Sequence, residues 1–456
     1  MRLKITGGRV YDPASGWHGQ VRDLFVEGER LVARLTKVDR TIDARDRAVL
    51  AGGIDLRGQV ATCGLNLLHL WDGKPGLHPL GLEYACLGFT HVHEPFLTLV
   101  TAPLVHRQLA AIPIVDASAS LVLNLRDLDL WLKERPRWPE IAETIRFLLE
   151  RTRTLDLRVV EPFVRYRQDI YAHRTLKSAE ALEILTRLAL DHGLRFVLEA
   201  TPEVLQAPVL EPRAFHLSAL GQALLDDDLA AAAWRHLQAG VTADCGLARP
   251  DSEPQEPPLK VDLGWFQPLN LRPAVSKSQA WRALELALRY PGPRLAFSAL
   301  GPRRAPAREY PRMFGWLLDR QARRTEWEEE LNLREWSLSD WARATRTLPA
   351  RVLGFKDRGH LSPGARADIA IYDFPPESAG LSLCESLSRV RTLIKRGEVV
   401  IDNFQVIRPQ VAKAIYFRQT RAQATSLLED ICQYRSFRLE NLWVPDEMGG
   451  PWVALE

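Results

Sequence analysis

Residues 178–200 read SAEALEILTRLALDHGLRFVLEA, a helical pattern that stops at Gly193 and runs directly into a strand-like segment. The same unit occurs at 138–162, where WPEIAETIRFLLERTRT leads into LDLRVVEP. Further strand-like segments fall at 89–95 (FTHVHEP), 112–118 (IPIVDAS), 241–246 (VTADCG) and 294–300 (RLAFSAL). Strands alternating with helices of this length imply βα units and a parallel sheet, because a parallel neighbour can be reached only through a crossover. A closed (β/α) barrel over residues 51–348 is the most economical arrangement.

Outward from the barrel the pattern changes. Residues 1–50 and 349–407 read as short strands and turns, among them KITGGRVYDP, DLFVEGERLVARL around a turn at Gly28, RADIAIYDF and VRTLIKRGEVVID. Residues 408–456 are mixed and are expected to wrap or dock. The 456 residues, 46% hydrophobic and 26% charged, can build a large core and are ordinary for a globular chain. No apolar run approaches the ~20 residues that cross a bilayer, and Met1-Arg2-Leu3-Lys4-Ile5 enters a strand-like alternation at once; a cytoplasmic protein is the expectation. The five cysteines (Cys63, Cys86, Cys245, Cys384, Cys432) have no C-x-x-C spacing and read as buried free thiols. A net charge of +3 does not imply nucleic acid.

The flanks carry a resemblance. TGGRVYDPASG (6–16) with RTIDARDRAVLAGGID (40–55), and LPARVLGFKDRGHLSPGARADIAIYDF (348–374) with LIKRGEVVID (393–402), resemble the entry and exit of an amidohydrolase-superfamily barrel. The resemblance implies that both flanks pair into one composite β-sandwich beside a TIM-like barrel. LGFTHVHEPFL (87–97), LVHRQLAAIPIVDASASLVLN (104–124), LRVVEP (157–162), EYPRMFGWLLDRQARR (309–324) and ICQYRSFRLENLWVP (431–445) are more particular. They resemble the A-type subunits of formylmethanofuran dehydrogenase and of the bacterial formyltransferase/hydrolase complex, which implies formyl-transfer partner subunits and a methanofuran- or methylofuran-type carrier.

That family works at a binuclear zinc centre, where the metal makes bound water more acidic and a carboxylate moves the proton. The ligand positions that the resemblance implies are occupied by other residues here. The first barrel strand should end Asp-x-His-x-His, since residues two apart on a strand face the same way, but it reads Asp55-Leu56-Arg57-Gly58-Gln59. The bridging lysine falls on Arg158, a strand-end histidine on Glu199, and the catalytic aspartate near Leu300; only His216 matches a family histidine. Arginine stays protonated and offers no lone pair to a cation. The expectation is therefore no bound metal and no catalytic residue of the family kind, with Arg57 and Arg158 supplying fixed positive charge and Glu199 or Asp55 as the counter-ion.

Other candidates have a bland reading beside a functional one. His91 and His93 have the i, i+2 spacing of a strand metal pair next to Glu94, yet packed histidines are commoner. His69, His78 and His173 read as loop residues facing water. Asp244 and Cys245 look like a base and nucleophile without an adjacent histidine, so a packed strand end is the simpler view. Trp316, Trp336 and Trp341 suit a core or a protein interface. Arg303, Arg304, Arg308, Arg312, Arg320, Arg323 and Arg324 form a basic run opposed in sequence by Glu309 and Asp319. The first three follow the last barrel strand and are the candidate holders of a carrier with an anionic tail. Two function classes result: a non-catalytic scaffold or carrier holder in a formyl-transfer complex, and a hydrolase with relocated ligands.

Overall fold

The structure, a computed structural model, describes residues 1–61, 77–123, 137–159, 178–249, 260–261, 269–270, 275–300, 307–327, 333–373, 381–435 and 438–455. Its strands in chain order are β1 Arg2–Asp12, β2 Trp17–Glu27, β3 Arg30–Val32, β4 Arg40–Asp43, β5 Ala48–Ala51, β6 Gly53–Asp55, β7 Phe89–Leu97 and β8 Asp116–Leu123. There follow β9 Asp156–Val159, β10 Phe196–Glu199, β11 Phe215–Ser218, β12 Thr242–Asp244, a short antiparallel pair β13 Lys260–Val261 and β14 Leu269–Asn270, and β15 Leu295–Ala296. The last six are β16 Ile369–Tyr372, β17 Thr392–Lys395, β18 Glu398–Asp402, β19 Gln405–Val406, β20 Ile415–Arg418 and β21 Trp452–Leu455.

The two flanks build one nine-stranded sheet, joined where β16 runs antiparallel to β5 with Ile369 opposite Ala51. Alternation fixes its inner face: Leu3, Ile5 and Val10 of β1 meet Val49, Ile369, Ile371 and Ile394 in a core of their own. The second sheet is the barrel. Strands β6 to β12 and then β15 lie side by side in chain order, all parallel. Among the described residues no ladder joins β15, two residues long, to β6. The helical turn Arg343–Thr347 spans that gap: Phe297 N donates to Ala344 O and Arg346 Nε to Ala51 O at 3.1 Å.

In the opening stretch, helix Ser178–His192 turns Leu182, Leu185 and Leu188 inward and ends at Gly193, whose φ of +67° suits glycine. Phe196 and Leu198 of β10 continue the same core. Each fully buried leucine or phenylalanine there contributes about 2 kcal/mol. The carboxy-terminal segment does more than lie on the surface. β20 pairs with the start of β8 at Ala117 and Ser118, below the point where β9 takes over at Ser120, and β21 runs parallel to β20. Val453 and Leu455 pack with Ile54, Leu155, Ala296, Phe355 and Tyr416 in a third core at the amino-terminal end of the barrel.

Candidate functional site

In a βα barrel the carboxy-terminal strand ends form the mouth. Here β6, β9 and β10 bring three of the singled-out residues together. Arg57 Nη2 donates to Glu199 Oε1 at 2.5 Å and Arg158 Nη1 to Glu199 Oε2 at 2.8 Å, all three side chains being nearly excluded from solvent. Both guanidiniums also lie over the Phe96 ring, 5.5 and 5.6 Å from its centre. Gln222 Nε2 adds a longer donation to Glu199 Oε1 at 3.4 Å. Asp55 takes no guanidinium: Oδ1 accepts from the Arg57 backbone N–H (2.9 Å), and Oδ2 from the hydroxyls of Tyr84 (2.8 Å) and Tyr310 (2.5 Å). Burial pushes the Asp55 carboxyl above the ordinary range, against the pull of those three donors. Gln59 is half-buried in the following loop with a left-handed φ of +47°, and Leu300 is a buried apolar residue beyond β15.

A second group lies on β11 and β12. His216 sits in the β11 position opposite Val197 and Thr242, two residues before Ser218, which is opposite Glu199. Its Nδ1 is 2.9 Å from Thr242 Oγ1 and its Nε2 is 3.4 Å from Asp244 Oδ2. Burial depresses the imidazole, so it is neutral at neutral pH. Burial also pushes Asp244 up, but the contact with His216 and the Ser298 hydroxyl outweighs it and holds the carboxyl well below the usual range. Cys245 is pushed up to about 12 by burial, which leaves it a thiol and no nucleophile. His91 and His93 face the barrel interior and are tied to hydroxyls: Ser118 Oγ lies 2.8 Å from both rings, and Ser120 Oγ is 2.7 Å from His93 Nε2. Burial holds His93 at about 4.

Two zinc ions need lone-pair donors converging from several strand ends. In the places that the resemblance implies, the mouth offers Arg57, Arg158 and Leu300, which have no lone pair to give, and Gln59 alone of the four with an acceptor oxygen, with Glu199 already held by two guanidiniums, so the residues present do not fit a binuclear centre. Among the described residues no group of three or more His, Cys, Asp or Glu is arranged to hold a metal ion.

The arginine run is not an open array. Arg303 and Arg304 lie outside the described residues, and Arg308 is exposed beside helix Tyr310–Leu318. Arg312 pairs with Glu326 at 2.5 Å, while Arg323 is buried and donates to Trp316 O and Leu333 O. Glu326, just past the end of the run, thus neutralises part of it, and backbone carbonyls take up Arg323. Trp316, Trp336 and Trp341 are 2%, 3% and 0% exposed, which places them in the main core, the first of the two readings the sequence left open, and not at an interface. His78 is exposed; His69, His173 and Cys63 lie outside the described residues, and Cys86 and Cys384 are half-buried, not buried as expected.

Sequence reasoning did not find three buried polar arrangements, two at the mouth and one at the opposite end of the barrel. One is the Tyr84–Asp55–Tyr310 brace, in which the tyrosines lie 29 and 255 residues from the aspartate. Another is the hydrogen bonding of Glu94, named in the sequence only as the acid beside His93: its Oε2 accepts from Ala61 N at 2.8 Å and its Oε1 from Phe96 N at 3.0 Å. The third is a buried ion cluster at the opposite end of the barrel. Asp116 there meets Lys395 Nζ at 2.7 Å and the guanidiniums of Arg358 and Arg396, and Asp368 meets Lys395 at 3.1 Å. A charged residue inside apolar strand text, as in IPIVDAS and TLIK, was the available signal.

Comparison with known proteins bears on the family likeness and the fold. Residues 302–401 match the amidohydrolase family. The chain is homologous to the A component of the formyltransferase/hydrolase complex Fhc of Methylorubrum extorquens, with 26% identity over 89% of each chain. It is likewise homologous to "Protein FwdA" of Methanocaldococcus jannaschii, with 23% identity over 100% of this chain and 99% of that one. The second alignment extends over 563 positions although this chain has 456 residues, so the relative carries insertions that are missing here. Among solved structures, a chain of the M. extorquens formyltransferase/hydrolase complex FhcABCD with methylofuran superposes with a TM-score of 0.83 at 23% identity, covering 100% of this chain and 99% of that one. A D-hydantoinase superposes with a TM-score of 0.57 at 16% identity, covering 91% and 98%. These likenesses establish the amidohydrolase-type barrel with its sandwich.

Proposed function

On the premise that this chain is homologous to the A component of Fhc and to FwdA, we propose that it is the A-type subunit of a one-carbon formyltransferase/hydrolase complex, serving as scaffold or carrier holder and not as a hydrolase in its own right. The observation that carries the reading is the Arg57–Glu199–Arg158 triad. On this reading the two permanent cations, tied to a single carboxylate, stand where the family has metal ligands. Such a site holds charge and shape at the mouth without the lone pairs that metal chemistry requires.

A hydrolase with relocated ligands would draw on His91 and His93. Both ring nitrogens of His93 are engaged by serine hydroxyls, and His91 packs edge-on to Phe355 and Tyr416 at the far end of the barrel, so the two do not converge on a free position. On this reading the carrier, of methanofuran or methylofuran type, meets the chain near Arg308 and the neighbouring Arg303 and Arg304.

Co-expression with formyltransferase-type subunits, followed by purification and elemental analysis, tests the proposal. The expected result is a stable heteromeric complex in which this chain holds less than one equivalent of zinc. Two tight metal ions per chain, lost in His91→Ala or His93→Ala, or a chain that ignores those subunits, would overturn it.

A further inference from the structure

We propose that Glu94 is a proton-operated clasp on the mouth loop: as a carboxylate it pins residues 57–61, and with them Arg57 on Glu199, and when it takes up a proton that loop is released. Glu94 ends the regular part of β7 and is 1% exposed. Its two oxygens collect the backbone N–H groups of Ala61 (2.8 Å) and Phe96 (3.0 Å), and Val60 N–H donates to it as well. The loop is also tied by Gly58 N to His93 O at 3.0 Å, and it passes so close to β7 that a Cβ on Gly58 would lie 2.3 Å from Val92 Cγ2. Between these anchors Gln59 is held in the left-handed region at φ +47°, a conformation that a residue with a Cβ leaves when nothing holds it. One carboxylate therefore secures a strained loop at one end and, through Phe96, the ring beneath both guanidiniums at the other.

The groups facing this carboxyl are few. From β9 the Arg158 guanidinium favours its charge; His93 on its own strand is uncharged at neutral pH; the loop offers backbone N–H groups; and β8 places Ala119 opposite. Burial pushes Glu94 up to about 7, against the pull of the backbone donors, so proton uptake falls in an accessible range. A protonated oxygen becomes an O–H donor facing an N–H donor, and the tie at that oxygen is broken. The sign for global stability is opposite. A folded value raised above the ordinary 4.5 means that the fold gains stability as pH falls from about 7 towards 4.5, so loosening in that window is not unfolding; it is a local parting of the N–H ties with the carboxyl still buried, where losing its donors pushes it up further and proton uptake favours the parted loop.

The consequence for Arg57 rests on the arginine-mouth reading above, whereas the clasp itself does not. Amide hydrogen exchange on the full chain from pH 5.5 to 8.5, corrected for the intrinsic rate, reads it directly. Protection of the amides of Val60, Ala61 and Phe96 is expected to be steady at the alkaline end and to fall about tenfold for each pH unit below the midpoint, while β11 stays protected. Glu94→Gln should show low protection in that loop at every pH. Protection independent of pH in the wild type, or a Glu94→Gln profile that still titrates, would overturn the clasp; if that variant does not fold, the wild-type titration decides alone. Tight zinc or a missing complex would defeat the functional proposal and leave this exchange pattern untouched.

Discussion

The two ends of the barrel both bury guanidinium–carboxylate clusters, and they use them differently. At the amino-terminal end, Asp116 of β8 and Asp368 beside β16 share Arg358, Lys395 and Arg396, and Asp116 also accepts from Ala414 N. This cluster ties together the barrel, the composite sheet and the carboxy-terminal strands. At the mouth, Arg57 and Arg158 share Glu199 within one sheet, and Arg57 Nε and Nη1, Arg158 Nε and Ser218 Oγ are buried without a partner among the described residues. Buried guanidinium nitrogens without a hydrogen-bond partner among the described residues occur at the joint as well (Arg358 Nε and Nη1, Arg396 Nε), so the two clusters differ in what they connect: separate parts of the chain at one end and strands of one sheet at the other, which matches the division of labour between the two faces of βα barrels.

Removing the joint should produce the largest effect. Burial pushes Asp116 up, yet Lys395, Arg358 and Arg396 outweigh it and hold the carboxyl far below its usual range. Asp116→Asn keeps the shape and leaves three cations facing one carboxylate, a loss of about 3–5 kcal/mol. Denaturant unfolding should show this as a large drop in midpoint, and the sandwich and barrel should unfold together. A loss under about 1 kcal/mol would mean that the cluster is incidental and that the contrast between the two ends is unfounded.

These two clusters also mark how far the sequence could be read. Helix Ser178–His192 and strand Phe196–Glu199 were legible because local periodicity and Gly193 decide them. The position of Glu199 at a strand end was legible for the same reason, and the arginine pair needed a nearby anion on general grounds. The joint was not legible, since Arg358 and Lys395 lie 242 and 279 residues from Asp116 and no local pattern links them. Nor was the insertion of β20 beside β8, because four residues of an edge-like strand carry no address. The tryptophan stretch stayed open between core and interface for a related reason: an amphipathic face shows that something covers it, and here the cover is the chain's own main core.

At the mouth the comparison sharpens through Glu199→Gln. Losing this carboxylate leaves Arg57 and Arg158 without their shared counter-ion, a cost of about 2–3 kcal/mol, smaller than at the joint because the mouth can admit solvent and ions. Added small monoanions such as acetate should recover part of that stability in Glu199→Gln, as measured by thermal unfolding, and none in Asp116→Asn. Equal rescue of both variants would show that the two clusters are equally accessible.

The smallest effect is expected at the exposed rim. Arg308 lies beside the start of helix Tyr310–Leu318, beyond the last barrel strand, and its charge favours ionisation of Glu83, whose carboxyl burial pushes upward. If the carrier bears an anionic tail, Arg308→Ala should weaken its binding by no more than about 1 kcal/mol, the usual limit for a solvent-exposed pair, and the difference should shrink as salt is raised because screening acts on both the tail and the guanidinium. Calorimetric titration of oligoglutamate or of the intact carrier into the assembled complex, at low and at high ionic strength, measures both quantities. An unchanged affinity at low salt would remove Arg308 from the carrier path and confine the functional cations to the buried pair, Arg57 and Arg158.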